Sequence, residues 1–264
     1  MGRRMSKKQA RKRRRQRRVR KFFGICLILG IILAALAILL KMDDIRIGAT
    51  AERLAQENYP ESLIKLMERN PEAKQFVLDY QKNKNKHEEI DLSKEVKKGQ
   101  IPLFIQWDER WGYETYGDDF LALTGCGPTC LAMVRCGLSG ETQWNPYEVA
   151  CMAQEQGFYV EGVGSSWELM SLGAQRIGLT VSNVTFDADH ILSVLQAGMP
   201  VICAVGPGDF TSVGHFIVLT GVDGDGKVTV NDPNSRENSE KTWDVEELMS
   251  QIRNLWGYSY EISD

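Results

Sequence analysis

At 264 residues, with 43% hydrophobic and 25% charged side chains, the chain is long enough for one folded core with appendages, and its apolar content excludes a wholly disordered polypeptide. The formal net charge of −3 conceals an asymmetry. Thirteen of the 32 Lys and Arg lie in residues 1–21, which carry no acid, so the remainder of the chain is strongly acidic.

The basic run RKRRRQRRVRK would, standing alone, neutralise nucleic-acid phosphates. It leads instead directly into FFGICLILGIILAALAILL, residues 22–40, nineteen positions without a charge. At about 1.5 Å rise per residue such a helix spans roughly one hydrocarbon core. The stretch is of full membrane length and gives way at once to Lys41, Met42, Asp43 and Asp44, which separates it from a cleaved signal peptide. Cationic flanks stay on the cytoplasmic side, held by the anionic inner leaflet. The expectation is a single-pass plasma-membrane anchor of bacterial type, with residues 1–21 as a cytoplasmic tail, the remainder outside, and no nucleic-acid partner.

Residues 41–100 are rich in Glu, Lys, Gln and Asn. Apolar positions Leu63, Ile64, Leu66, Met67, Phe76, Val77 and Tyr80 recur at spacings of three and four, which is helical. Pro60 and Pro71 each stand where a helix can begin, so SLIKLMER and EAKQFVLDYQK are expected as two short helices ahead of the solvated linker KNKNKHEEIDLSKEVKKG. The region reads as a helical stalk able to dock on the domain after it.

From Ile101 to the end, residues 101–264, the pattern is that of a compact α+β domain. Pro128 opens a buried helix ending near Gly137, and further helices are expected over 146–155, 166–177, 188–197 and 244–254, with Ser165 or Ser166, Asp187 or Asp189, and Asp244 as caps. Strands come late: PVICAV (200–205), HFIVLTGV (215–222) and KVTVND (227–232), the last two flanking the hairpin signal DGDG.

Cys126 lies in TGCGPT, between glycines that permit close backbone approach and at the start of a helix. Unpaired N–H groups and the positive end of the helix dipole favour a thiolate there; a small buried hydrophobe is the other reading. Of the three histidines, His87 sits in the charged linker and His190 at a helix start, where both read as surface residues, whereas His215 opens an apolar strand. If DGDG forms the hairpin loop, Val222 faces Lys227 and Asp232 faces Ile217, on the His215 side of the ladder and diagonal to it. Asn231 then points the other way, and a one-residue bulge would exchange the two. A nucleophile, a base and a group that orients the base is the general scheme for covalent catalysis.

FIQWDERWG, TGCGPTCLAMV, GHFIVLTGV and VNDP, taken in order, resemble the signature of the peptidase C39-like family of papain-like cysteine peptidases. The resemblance implies a papain-like fold, cleavage of peptide bonds in a peptide or protein substrate, and Cys126, His215 and Asp232 as a triad. Gln106 takes the place of the oxyanion-hole glutamine, although twenty residues separate it from Cys126 where transporter-linked members have only a few. Those members cut double-glycine leaders in the cytoplasm; with no transporter segments here, that substrate is not implied. Trp107, Trp111, Trp167 and the GPGDFTS loop are candidates for lining a peptide cleft, each aromatic having a core reading beside it.

Five cysteines lie beyond the apolar span: 126, 130, 136, 151 and 203. With Cys126 free, the other four allow three pairings into two disulfides or stand as reduced buried residues. No Cys or His pair has metal-ligand spacing, so neither metal nor cofactor is expected. Two other functions fit the same residues: a cell-wall hydrolase or acyltransferase using the Cys and His dyad, and a catalytically idle module that binds peptides or proteins.

Overall fold

The computed structural model describes residues 46–86 and 89–261, together with Phe22, Ile28, Ile32, Lys41 and Met42. Apart from those isolated positions, the apolar span expected over 22–40 lies outside the described residues, as do the basic run and His87. Among the described residues no helix is long and apolar enough to cross a membrane. The chain divides between Tyr59 and Pro60 into two compact units. In the first, residues 46–56 are helical.

The second unit opens with α1 (Glu61–Arg69), which buries Leu63, Ile64, Leu66 and Met67, the apolar stripe that their spacing predicts. Asn70 ends it and caps the 3-10 turn Pro71–Ala73, its side chain accepting from the Glu72 N–H at 3.0 Å. The single helix expected over 72–82 is instead this turn followed by α2 (Lys74–Leu78) and α3 (Tyr80–Asn83). The Phe76 carbonyl, which a continuous helix would pair with the Tyr80 N–H, accepts the Tyr113 hydroxyl at 2.6 Å, and the two rings stack at 4.1 Å. With Ser62 Oγ donating to Asp119 at 2.9 Å, this segment packs as part of the same unit as everything after it.

The hairpin β1 (Thr115–Tyr116) and β2 (Asp119–Phe120) leads into α4 (Leu121–Thr124), α5 (Cys126–Ser139) and α6 (Pro146–Glu155). A second short hairpin, β3 (Tyr159–Val160) and β4 (Gly164–Ser165), precedes a π-helical turn (Leu169–Gly173) that runs into α7 (Ala174–Arg176). Then come β5 (Thr180–Ser182), α8 (Ala188–Gln196), β6 (Val201–Val205), β7 (His215–Val222), β8 (Val228–Asn231), α9 (Arg236–Glu240), β9 (Thr242–Trp243), α10 (Val245–Gln251) and β10 (Ile252–Ser259). Six strands form one antiparallel sheet in the order β5-β10-β6-β7-β8-β9. Helices early and an antiparallel sheet late make the α+β domain that the sequence predicts.

Period-two alternation divides the sheet between two cores. Ile202, Ala204, Phe216, Val218 and Tyr258 join Leu131, Met133 and Val134 of α5 in one. Val201, Cys203, Val205, Ile217, Leu219 and Leu255 join Ile191 of α8 and Leu248 of α10 in the other. Helix α5 ends not at Gly137 but at Gly140, whose φ of 80° supplies the left-handed cap. Gly137 has another role: a side chain there would collide with Gln100 and Ile101. Asp187 caps α8 by accepting the His190 N–H at 2.9 Å, whereas Asp244 makes no side-chain cap to α10.

The helix expected over 244–254 is a correction. It stops at Gln251, and residues 252–259 form β10, a long strand between β5 and β6. Leu248, Ile252 and Leu255 have helical spacing, but β6 pairs with Ile252 and Asn254–Gly257 and β5 with Gly257–Ser259, and tertiary pairing overrides the local pattern.

Candidate active site

Helix α5 begins at Cys126, with Gly125 before it and Pro128 in its first turn. The thiol, half-buried, lies beside His215, the first strand residue of β7, and beside the backbone of Phe216 and Gly127. Only 8% of the His215 side chain is exposed, and its Nε2 lies 2.7 Å from Oδ1 of Asp232, a carboxylate that is 1% exposed.

The electrostatics favour charge separation. Burial pushes the Cys126 thiol up, but the hydrogen bond and charge of His215, with the two backbone hydrogen bonds, outweigh it and leave the thiol below its ordinary value. Burial pushes His215 down; attraction and hydrogen bonding to Asp232, then to Cys126, reverse this and raise the imidazole above its ordinary value. Both shifts run in the direction of a thiolate beside an imidazolium.

Asp232 is itself held on both oxygens. Oδ1 also accepts the Asn234 N–H at 2.8 Å, and Oδ2 accepts from Nδ2 of Asn238 at 3.0 Å. Its own N–H donates to Ser239 Oγ at 2.9 Å. Asn231, the alternative orienter, points elsewhere, its amide donating to the carbonyls of Ile101 and Pro102. Sequence reasoning does not single out Asn234 and Asn238, although a signal for them exists: Asp-Pro-Asn-Ser is the pattern of an Asx turn leading into a Ser-capped helix.

Gln106 is buried. Its Nε2 donates to the Ala122 carbonyl at 2.7 Å and its backbone N–H to Pro233 at 2.7 Å, so it joins the turn before Cys126 to the loop after Asp232 and bonds directly to neither Cys126 nor His215. Trp111 is core, its indole N–H donating to Ile105, and Trp107 is also buried, donating to the Asn234 carbonyl at 3.1 Å. Trp167 alone of the three is exposed, at 51%, edge-on to Trp256. His190 accepts the Thr185 N–H through Nδ1, a local structural role. The five described cysteines are free thiols, with Cys130, Cys136 and Cys203 buried. Among the described residues no group of three or more His, Cys, Asp or Glu could hold a metal ion.

Gly127, in the first turn of α5, is where that helix meets β4. A Cβ there would lie 2.6 Å from Oγ of Ser165, which is already fixed by a 2.8 Å hydrogen bond with the Tyr116 hydroxyl. Gly127→Ala is therefore expected to cost about 1–3 kcal/mol through overpacking, read as a lower midpoint in urea unfolding; an unchanged midpoint would show that β4 yields freely.

A helix carrying a thiol at its amino end, packed on an antiparallel sheet that presents an imidazole and a carboxylate, is the layout of a cysteine peptidase-like domain. The model of the Peptidase_C39 like family matches residues 98–263, and the chain belongs to that family. No curated protein matches it.

Proposed function

We propose that the chain is a membrane-anchored, extracytoplasmic cysteine peptidase acting on peptides or proteins. Cys126 is the nucleophile, His215 the proton carrier, Asp232 the group that orients it, and Gln106 an oxyanion donor. The observation that carries this reading is buried Asp232 at 2.7 Å from Nε2 of His215, with the Cys126 thiol beside the same imidazole. Support for the anchor is the uncharged stretch 22–40 behind the basic tail.

In this reading the Cys126 thiolate attacks the scissile carbonyl carbon, forming the S–C bond as the π pair moves to oxygen. Gln106 uses one amide N–H on Ala122; a primary amide has two, and the second is the donor available to the oxyanion. The His215 imidazolium protonates the leaving nitrogen as the C–N bond breaks, leaving a thioester. Neutral His215 then takes a proton from water as the water attacks, and C–S cleavage restores the ion pair.

The test is alkylation of Cys126 by iodoacetamide across pH 4–9 in the full-length chain, followed by peptide mass spectrometry. The expected result is reaction well below the ordinary thiol value of about 8.5, abolished by His215→Ala. A membrane-impermeant alkylating reagent on intact cells reports the side on which the thiol lies. A Cys126 that titrates like a free thiol removes the peptidase reading in favour of a binding module, and labelling only after lysis removes the proposed orientation.

A further inference from the structure

The family match begins at residue 98, yet two side chains from well before it reach the loop that holds Asp232. Asn70 faces two ways. Its Oδ1 caps the Pro71–Ala73 turn, while its Nδ2 donates to the Asn234 carbonyl at 2.7 Å and to the Asn234 side-chain oxygen at 3.1 Å. Two residues on, Glu72 spans the amino end of α9: Oε1 accepts the Ser235 hydroxyl, and Oε2 accepts the N–H groups of Arg236 at 2.9 Å and Glu237 at 3.4 Å. Ser235 in turn accepts the Asn238 N–H at 3.1 Å. An anionic carboxylate that accepts the unpaired N–H groups of a helix end is a favourable arrangement.

Besides His215, the carboxylate of Asp232 is held by Asn234 and Asn238, one fixed by Asn70 and the other set on the helix that Glu72 holds. The two hands of the clamp are unequal. Asn234 has a second anchor in the Trp107 indole, and Pro233 has one in the Gln106 N–H, so the Oδ1 side is held from within the matched region as well. On the Oδ2 side, the Arg236 guanidinium lies 5.5 Å over the Trp107 ring and the Asn238 carbonyl accepts the Trp243 indole N–H at 3.1 Å, while Glu72 accepts three hydrogen bonds from the head of α9. We infer that Asn70 and Glu72 are positioning residues: the segment ahead of the family domain clamps residues 233–240 and thereby keeps Asp232 aligned on His215, with Glu72 the stronger of the two. This rests on the peptidase reading for its meaning in turnover, while its geometry is independent of any substrate. The groups that meet the Cys126 and His215 pair electrostatically are Asp232, Tyr116 and Cys130; none of them is altered by substitution at Asn70, Glu72 or Ser62.

The experiment uses the full-length chain and compares wild type with Glu72→Ala, Glu72→Gln, Asn70→Ala and, as a control in the same segment, Ser62→Ala, whose hydroxyl bonds Asp119 and not the 233–240 loop. Cys126 alkylation is followed against pH well below each variant's melting temperature. Coupling through such a network is typically worth a factor of about two to thirty. Glu72→Ala is therefore expected to move the acid limb of the alkylation profile upward by roughly half a pH unit or more and to lower kcat on a peptide by about two- to thirtyfold with KM unchanged. Asn70→Ala should move it less, Glu72→Gln should move it less than Glu72→Ala in the same direction, and Ser62→Ala should overlay wild type.

A Glu72→Ala profile that overlays wild type in a folded protein overturns the inference, as does an equal displacement by Ser62→Ala, which would mark general loosening. If Glu72→Ala does not fold, Glu72→Gln decides: an upward displacement supports the clamp and a wild-type profile overturns it. Failure of the peptidase reading looks different, because the wild-type thiol would then titrate at its ordinary value.

Discussion

Replacing Cys126 with alanine is expected to slow peptide hydrolysis by about 10⁴-fold or more while the domain stays folded. The side chain sits half-buried at the amino end of α5, packed against the edge of the first core, and its loss removes one sulfur atom there. Stability should therefore change by about 1 kcal/mol or less. Turnover should collapse, because no other described nucleophile contacts His215: the remaining cysteines nearby, Cys130 and Cys203, are buried, and burial holds both thiols above their ordinary value. Cys130 is further committed, its thiol donating to the Phe216 carbonyl at 3.3 Å. Initial rates on a peptide library, compared with urea unfolding of the same preparations, separate the two effects. Residual hydrolysis within tenfold of wild type would mean that Cys126 is not the nucleophile. A host phenotype that survives the substitution would favour peptide or protein binding as the function.

The site was legible in the sequence where chemistry and local geometry coincide. Cys126 stands out because the glycines around it and the helix after it define where the thiol sits. The link from His215 to Asp232 was legible for a less direct reason. The expected ladder paired Val222 with Lys227, whereas Val222 pairs with Val228, because the Asp223 side chain captures the Asp225 and Lys227 N–H groups and enlarges the loop by one residue. A register irregularity between Leu219 and Gly221 then takes one residue back, and Val218 pairs with Asn231 as the unbulged count requires. Two displacements of one residue cancel, and parity, which decides the face, is preserved.

What could not be read is what depends on distant partners. Ile252–Ser259 has helical spacing in its apolar residues, and nothing within the segment announces that β5 and β6 stand open on either side of it. The docking of Asn70 and Glu72 is of the same kind: in the sequence they are a polar pair around Pro71, and only the folded chain brings α9 over them. Gln106 lies between these cases. Its place in FIQWDERWG marks it by resemblance, but its contact with Ala122 follows from the packing of α4, which no spacing encodes.

Removing the carboxylate of Asp232 should produce the second large loss, and pH should reveal its mechanism. In the wild-type chain the thiol is held below its ordinary value and the imidazole above, so the reactive pair persists between the two, and activity should fall on the acid side as the thiolate protonates and on the alkaline side as the imidazolium loses its proton. Asp232→Ala leaves burial as the main influence on His215, and burial lowers an imidazole. The alkaline limb should therefore move down. With less imidazolium beside it the thiol rises, the acid limb moves up, and the window closes from both sides. Peak kcat/KM should drop by about 10²–10⁴-fold. Asp232→Asn should fall less far, since an amide oxygen can still accept from Nε2 and from the Asn234 N–H although the charge is gone. Stability carries the complementary sign. A histidine raised in the folded state contributes stability that is fully present below its unfolded value of about 6.5 and is lost as pH rises through the folded value. The deficit of Asp232→Ala in urea unfolding should thus be greater near pH 6 than near pH 10. A deficit of equal size at both, with unmoved limbs in the activity profile, would show that Asp232 serves the fold and leaves the charge on His215 untouched.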